Sequence, residues 1–161
     1  MQVSHKSVDS WLKVLERFYA IFRLSPLGGA KIRAVKKEQK HYHFDWTLVQ
    51  DKGARFENCV GLHLLKWVHF QEDTLGEEIE LRYFRDIDGR EVDFVVVKDQ
   101  KPIIAVECKW NDEAPTKSVF YFKEKYPACD VYQLSCQGTK DYVTAKNIRV
   151  CPALKFLKTL I

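Results

Sequence analysis

A carboxylate and a lysine stand two residues apart in an otherwise apolar run, Ile103-Ile104-Ala105-Val106-Glu107-Cys108-Lys109-Trp110. Side chains of a strand alternate between its faces, so Glu107 and Lys109 project together while Val106, Cys108 and Trp110 take the other side. Charges on a largely buried surface are costly unless paired or bound to a metal. Asp93 presents the same oddity in the preceding run, between Val92 and Phe94. Direct opposition of Asp93 and Glu107 across a hairpin needs an odd-numbered loop, such as 99–101 or 98–102; an even loop puts them on opposite faces. If they oppose, two carboxylates lie about 5 Å apart and need a cation or a shared proton. A hard divalent ion with oxygen ligands answers that need, and Mg²⁺ tolerates such a site while keeping several waters.

These residues must be positioned by a sheet. Three strands are expected at 79–85, 91–98 and 103–110, joined by an Asp88-Gly89 turn and a turn at 99–102 as consecutive antiparallel hairpins. Upstream, residues 54–70 carry apolar side chains at helical spacing and enclose Glu57. One turn further on, Gly61 would let another backbone approach or leave room for a ligand. Downstream, a helix opens near Pro115 and runs to about Lys125, followed by strands at 130–135 and 148–151 and a closing helix at 153–160. The order is that of a mixed α/β sheet with helices against it.

The first part of the chain reads differently. Residues 8–24 place Trp11, Leu12, Leu15, Phe18, Tyr19 and Phe22 at three- and four-residue steps, with Ser7 or Asp9 as N-cap, which predicts one helix ending near Ser25-Pro26. Gly28-Gly29 makes a turn, and 31–37 with 40–46 form a short ribbon. Five basic residues in that ribbon, Lys31, Arg33, Lys36, Lys37 and Lys40, stand against the single acid Glu38, so residues 31–40 carry +4, the net charge of the whole 161-residue chain. Such a patch is a candidate phosphate-contacting, nucleic-acid-binding surface, and equally a solvated face.

Composition narrows the class. With 46% apolar and 30% charged residues the chain is globular, and its length suits one core with at most a small appended lobe. No apolar run approaches the roughly 18 residues needed to span a bilayer. Nothing in the first ten residues resembles a secretory leader, and the five cysteines form no Cys-x-x-Cys pair, so a cytoplasmic protein without structural zinc is expected.

Glu57 on a helix, Asp93 in one strand and Glu107-Cys108-Lys109 in the next resemble the active site of the PD-(D/E)xK nucleases. The runs Ala54-Arg55-Phe56-Glu57-Asn58, Tyr83-Phe84-Arg85, Glu91-Val92-Asp93-Phe94 and Val106-Glu107-Cys108-Lys109 resemble the nuclease-like domain found C-terminal to many prokaryotic AAA-type ATPase modules. Residues 7–24 and 40–45 are similar to the winged-helix-like lobe and junction that precede it. The resemblance implies a restriction-endonuclease-like mixed sheet over 47–161 and a winged-helix-like lobe over 1–46. It further implies Mg²⁺ or Mn²⁺ held by Asp93, Glu107, the Cys108 carbonyl and Glu57, Lys109 positioning the attacking water, and DNA as substrate. Val92 stands where the family name has proline. No Gly-x-x-x-x-Gly-Lys-Ser/Thr loop occurs in the sequence, so an ATPase would have to be a partner supplied in trans. A non-catalytic DNA- or protein-binding lobe of such an ATPase system is the alternative.

Overall fold

A computed structural model of the chain describes residues 4–28 and 39–160. Lys31, Arg33, Lys36 and Lys37 therefore lie outside the described residues, and of the basic ribbon only Lys40 is seen.

Helix α1 spans His5–Arg17, with Ser4 accepting from the Ser7 N–H at 3.2 Å. It stops well short of the expected end. Ala20 N–H reaches Leu15 O at 2.9 Å and Tyr19 N–H reaches Glu16 O at 3.0 Å, while Tyr19 adopts a left-handed φ of 55°. This is a Schellman cap with tyrosine where glycine is usual. The chain then extends as β1, Ile21–Leu24, which pairs antiparallel with β2, Lys40–His43. The partner of β2 is thus the segment expected to end the helix. Phe22 and Leu24 alternate inward along β1, whereas Trp11 on α1 and Phe18 at its C-cap stay exposed. Arg23 fastens α1 to the ribbon by bonding Asp9 and Glu16.

A short 3₁₀ turn at Trp46–Leu48 leads to α2, Lys52–Leu75. Asp51 caps its start by accepting from Ala54 N–H at 2.8 Å, and Gly76, at φ 65°, ends it. The helix runs five residues beyond the expected stretch. Among the described residues no helix is long and apolar enough to cross a membrane.

The main sheet holds β3 (Ile79–Arg85), β4 (Glu91–Lys98), β5 (Lys101–Lys109), β6 (Asp130–Ser135), β7 (Tyr142–Val143) and β8 (Ile148–Pro152), in the order β3-β4-β5-β6-β8-β7. The first three are antiparallel, β5, β6 and β8 run parallel, and the two-residue β7, which the sequence did not announce, pairs antiparallel at the edge. Helix α3, Lys117–Lys125, connects β5 to β6, and α4, Ala153–Leu157, closes the chain with a 3₁₀ turn. The result is a six-stranded mixed sheet flanked by helices. On one face Val60, Leu64 and Val68 of α2 meet Leu81, Phe94, Val96, Val106 and Leu134; on the other Val119 and Phe122 of α3 meet Val95, Val97, Ala105 and Val131. Strands buried on both faces read as continuous apolar runs, which is why Val95-Val96-Val97 carries no alternation.

The N-terminal ribbon joins this core directly. Phe22, Leu24 and Tyr42 pack with Phe94 and Tyr83, and Leu27 N–H bonds Tyr83 O at 2.7 Å, so the segment lies along the β3 edge. Gly61 serves packing: a Cβ there would stand 2.7 Å from the Phe94 ring, so the missing side chain admits that ring against α2. Glu57 is thereby brought beside the strand that carries Asp93.

Candidate active site

Two bulges position Asp93. The turn between β4 and β5 has only two residues, Asp99 and Gln100, both at positive φ (48° and 62°), and Pro102 already belongs to β5. That even loop would by itself send Asp93 and Glu107 to opposite faces. The register corrects it: Val97 pairs with Pro102 but Val96 with Ile104, so Ile103 is an extra residue in β5 and the count shifts by one. On the other side of β4, Arg82 pairs with Val95 and Phe84 with Val92, leaving Tyr83 opposite both Asp93 and Phe94. Asp93 therefore sits inside a second bulge, the device that re-aims side chains beside functional sites.

The β4–β5 ladder ends at Phe94↔Val106. In the gap beyond it Asp93 Oδ2 accepts from the Cys108 N–H at 2.8 Å. Both polar groups of one strand residue point to the same side, so the Cys108 carbonyl faces this gap as well. Glu107 is buried and receives Lys109 Nζ on Oε1 at 3.0 Å, while its Oε2 has no protein partner. Across from them Tyr42 donates its hydroxyl to Glu57 Oε1 at 2.7 Å. Asn58, the next residue of α2, clamps β2 through His43, accepting from its N–H at 2.8 Å and donating to its carbonyl at 2.7 Å.

Lys40 links the two sides. Its Nζ bonds Glu91 Oε1 and stands 3.4 Å from Glu57 Oε1 and 3.6 Å from Asp93 Oδ1. The residue expected on a DNA-facing ribbon is thus the counter-ion of three carboxylates, and a groove of about 320 Å³ runs past it between β2 and α2.

The electrostatics record a surplus of negative charge. Burial, reinforced by Glu107 and Glu57, pushes the Asp93 carboxyl up to about 8, against the opposing pull of Lys40. Burial raises Glu107 too, with Lys109 working against it. Burial disfavours the Lys40 and Lys109 ammoniums, but the carboxylates around each hold both above the usual lysine value. Burial and Glu57 raise the Tyr42 phenol, which keeps it a proton donor.

Asp93, Glu107, Lys109, Glu57 and Cys108 therefore converge on one end of the sheet, and Lys40 joins them. Among the described residues no three His, Cys, Asp or Glu side chains stand ready-spaced for a metal. The donor set nonetheless suits a hard cation: three carboxylates crowd around the Lys40 ammonium, and burial beside Glu107 and Glu57 raises the Asp93 carboxyl, which added positive charge would relieve. Lys40 occupies part of that position and would have to yield.

Sequence reasoning missed Glu91, Tyr42 and Gln133. Lys40 and Tyr42, like Glu91 and Asp93, stand two apart in strands, which was a usable signal; Gln133 is an amide in a strand that buries Val131, Leu134 and Ser135 beside it.

A family model described as a domain of unknown function, DUF4143, matches residues 52–156, from the start of α2 to α4. No curated protein and no solved structure matches the chain.

Proposed function

Since the chain belongs to the DUF4143 family, a domain associated with the C-terminal regions of AAA-type ATPases, we propose that it is a metal-dependent nuclease with a restriction-endonuclease-like, PD-(D/E)xK site that hydrolyses DNA phosphodiester bonds. One observation carries this reading: Asp93, Glu107 and Lys109 meet at the splayed end of β4 and β5, with Glu57 of α2 reaching the same ammonium as Asp93. Asp93, Glu107 and Glu57, with the Cys108 carbonyl, would hold Mg²⁺ or Mn²⁺. When bound, such an ion polarises the scissile phosphate and acidifies water.

The chain's own residues supply the rest. Lys109 keeps its proton beside Glu107, so it can donate to a phosphate oxygen or to the incoming water as negative charge develops. Tyr42 orients Glu57 through its hydroxyl, and the Cys108 N–H fixes the Asp93 carboxylate. Residues 31–40 supply five basic side chains for the phosphate backbone, Lys40 among them only once it leaves the carboxylates. Residues 1–46 serve in this reading as a winged-helix-like lobe before a nuclease domain over 47–161.

A second reading has one observation in its favour. With Lys40 satisfying Glu57, Glu91 and Asp93, the cluster is also a self-contained ion network, as in a non-catalytic DNA- or protein-binding lobe of an ATPase system supplied in trans. Plasmid nicking in Mg²⁺ or Mn²⁺ separates the two. The nuclease reading expects cleavage by the wild type and none by Glu107→Gln or Lys109→Met, each with an unchanged circular dichroism spectrum. Cleavage by both variants at the wild-type rate would falsify it; salt-sensitive DNA binding without cleavage would favour the lobe.

A further inference from the structure

Strand β6 carries a polar pair on the side of Glu107 away from Asp93. Gln133 and Ser135 are only 1% and 2% exposed, and the parallel register sets Gln133 beside Glu107 and Ser135 beside Lys109. Alternate residues of a strand share a face, so these four side chains form a polar square over the apolar core.

Gln133 Nε2 donates to the Glu113 carbonyl at 2.7 Å. A carbonyl can only accept, which fixes the end of the amide that is nitrogen and turns Oε1 away from Glu113. That Oε1 has no protein partner, and neither do Glu107 Oε2 or Ser135 Oγ. Three such oxygens on adjoining positions stand apart from the general rule that buried polar groups are bonded. The segment after β6 closes over them. A Cβ at Gly138 would stand 2.3 Å from Ser135 Oγ and 2.0 Å from Asp112 Oδ1, and Asp112 accepts from Thr139 N–H at 2.9 Å.

Two of the three oxygens are pure acceptors, so the square calls for a donor with two protons. Lys109 donates one N–H to Glu107 Oε1 and has others to offer. A second metal ion suits the square badly, because the Lys109 ammonium stands at its corner. One water suits the two acceptors, donating to Glu107 Oε2 and Gln133 Oε1 and accepting from Lys109, the two to four bonds a buried water needs.

We propose that Gln133 is a positioning residue, which together with Glu107 holds one buried water against Lys109 and so fixes the ammonium that serves phosphodiester hydrolysis. The part that Lys109 plays in hydrolysis rests on the nuclease reading. Apolar Val131, two residues earlier on the same face, illustrates what packing alone would ask of this position.

High-resolution diffraction from the full chain tests the water without reference to activity. Density is expected within about 2.6–3.2 Å of both Glu107 Oε2 and Gln133 Oε1, and its absence overturns the proposal. Gln133→Met keeps the volume and removes the acceptor. Its kcat for DNA cleavage is expected to fall on the order of tenfold to a hundredfold with KM unchanged; a cleaving wild type matched by this variant overturns the positioning role. A wild type that cuts nothing while the water is in place removes the nuclease reading and the positioning role together.

Discussion

Replacing Lys40 by methionine tests whether the cluster seeks a cation. The side chain keeps much of its length, but Glu57, Glu91 and Asp93 lose their shared ammonium. At an effective dielectric of about 20, two unit charges about 4 Å apart attract by about 4 kcal/mol. Lys40 engages three carboxylates, and its own desolvation offsets much of that attraction. Removing one partner of a buried pair costs about 3–5 kcal/mol, and because the Lys40 side chain retains 20% of its exposure we take the lower end, about 3 kcal/mol. For a domain of this size each kcal/mol moves Tm by about 2–4 °C, so a fall of about 6–12 °C is expected at pH 8 in EDTA. At pH 5 Asp93 is protonated and the fall shrinks. Saturating Mn²⁺ at pH 8 should restore most of it, since an ligand at a hundred times its Kd contributes about 2.7 kcal/mol. Thermal unfolding followed by circular dichroism, with and without the ion, reads all three. A loss of stability that Mn²⁺ leaves unrepaired would mean that the carboxylates serve only Lys40, and the metal-site argument would fail.

Two further outcomes follow from the same geometry. Asp93→Asn keeps an oxygen for the Cys108 N–H but removes a carboxyl raised in the folded protein from 3.8 to about 8; a raised value means that its stabilisation is complete below 3.8 and lost as pH rises through 8, so the variant should melt higher than wild type at pH 9 and about equally at pH 3, and a difference independent of pH would contradict the burial. Asp99→Asn with Gln100→Gly suits the two positive-φ positions of the β4–β5 turn, so Tm should rise by about 2–4 °C for about 1 kcal/mol gained, and a lower Tm would show that the turn is not what sets this hairpin.

Where the sequence was informative, long regular segments made it so. The buried helix and the strands from 79 to 135 fell within a few residues of expectation because length and apolar density agree there. The end of α1 was illegible because Tyr19, not a glycine, takes the left-handed position, and Ile21–Leu24 satisfies helical spacing and strand alternation at once. Asp93, Glu107 and Lys109 stood out as charges in apolar strands. Lys40 did not, because a count of basic residues cannot distinguish a solvated ammonium from one enclosed by carboxylates. Gln133 was missed since a single amide in a strand is unremarkable until its oxygen is seen to lack a partner.

The two bulges decide how this cluster should be understood. With a two-residue turn and no extra Ile103, the hairpin would pair continuously and Asp93 would face away from Glu107. Without the extra residue opposite Tyr83, β3 and β4 would pair without interruption as well. Each irregularity forgoes ladder hydrogen bonds inside a sheet whose other residues pack tightly. What the sheet gains is a carboxyl buried near two other carboxylates and held far from its ordinary protonation range. An ion pair kept only for stability has no use for this, since apolar residues of similar volume at such positions are commonly as stabilising or more so. Local departures from regular geometry that bring together groups which repel one another are what a binding or catalytic site requires and a scaffold does not. The register itself, more than the presence of acidic residues, is therefore what supports the role proposed for Asp93, Glu107 and Lys109.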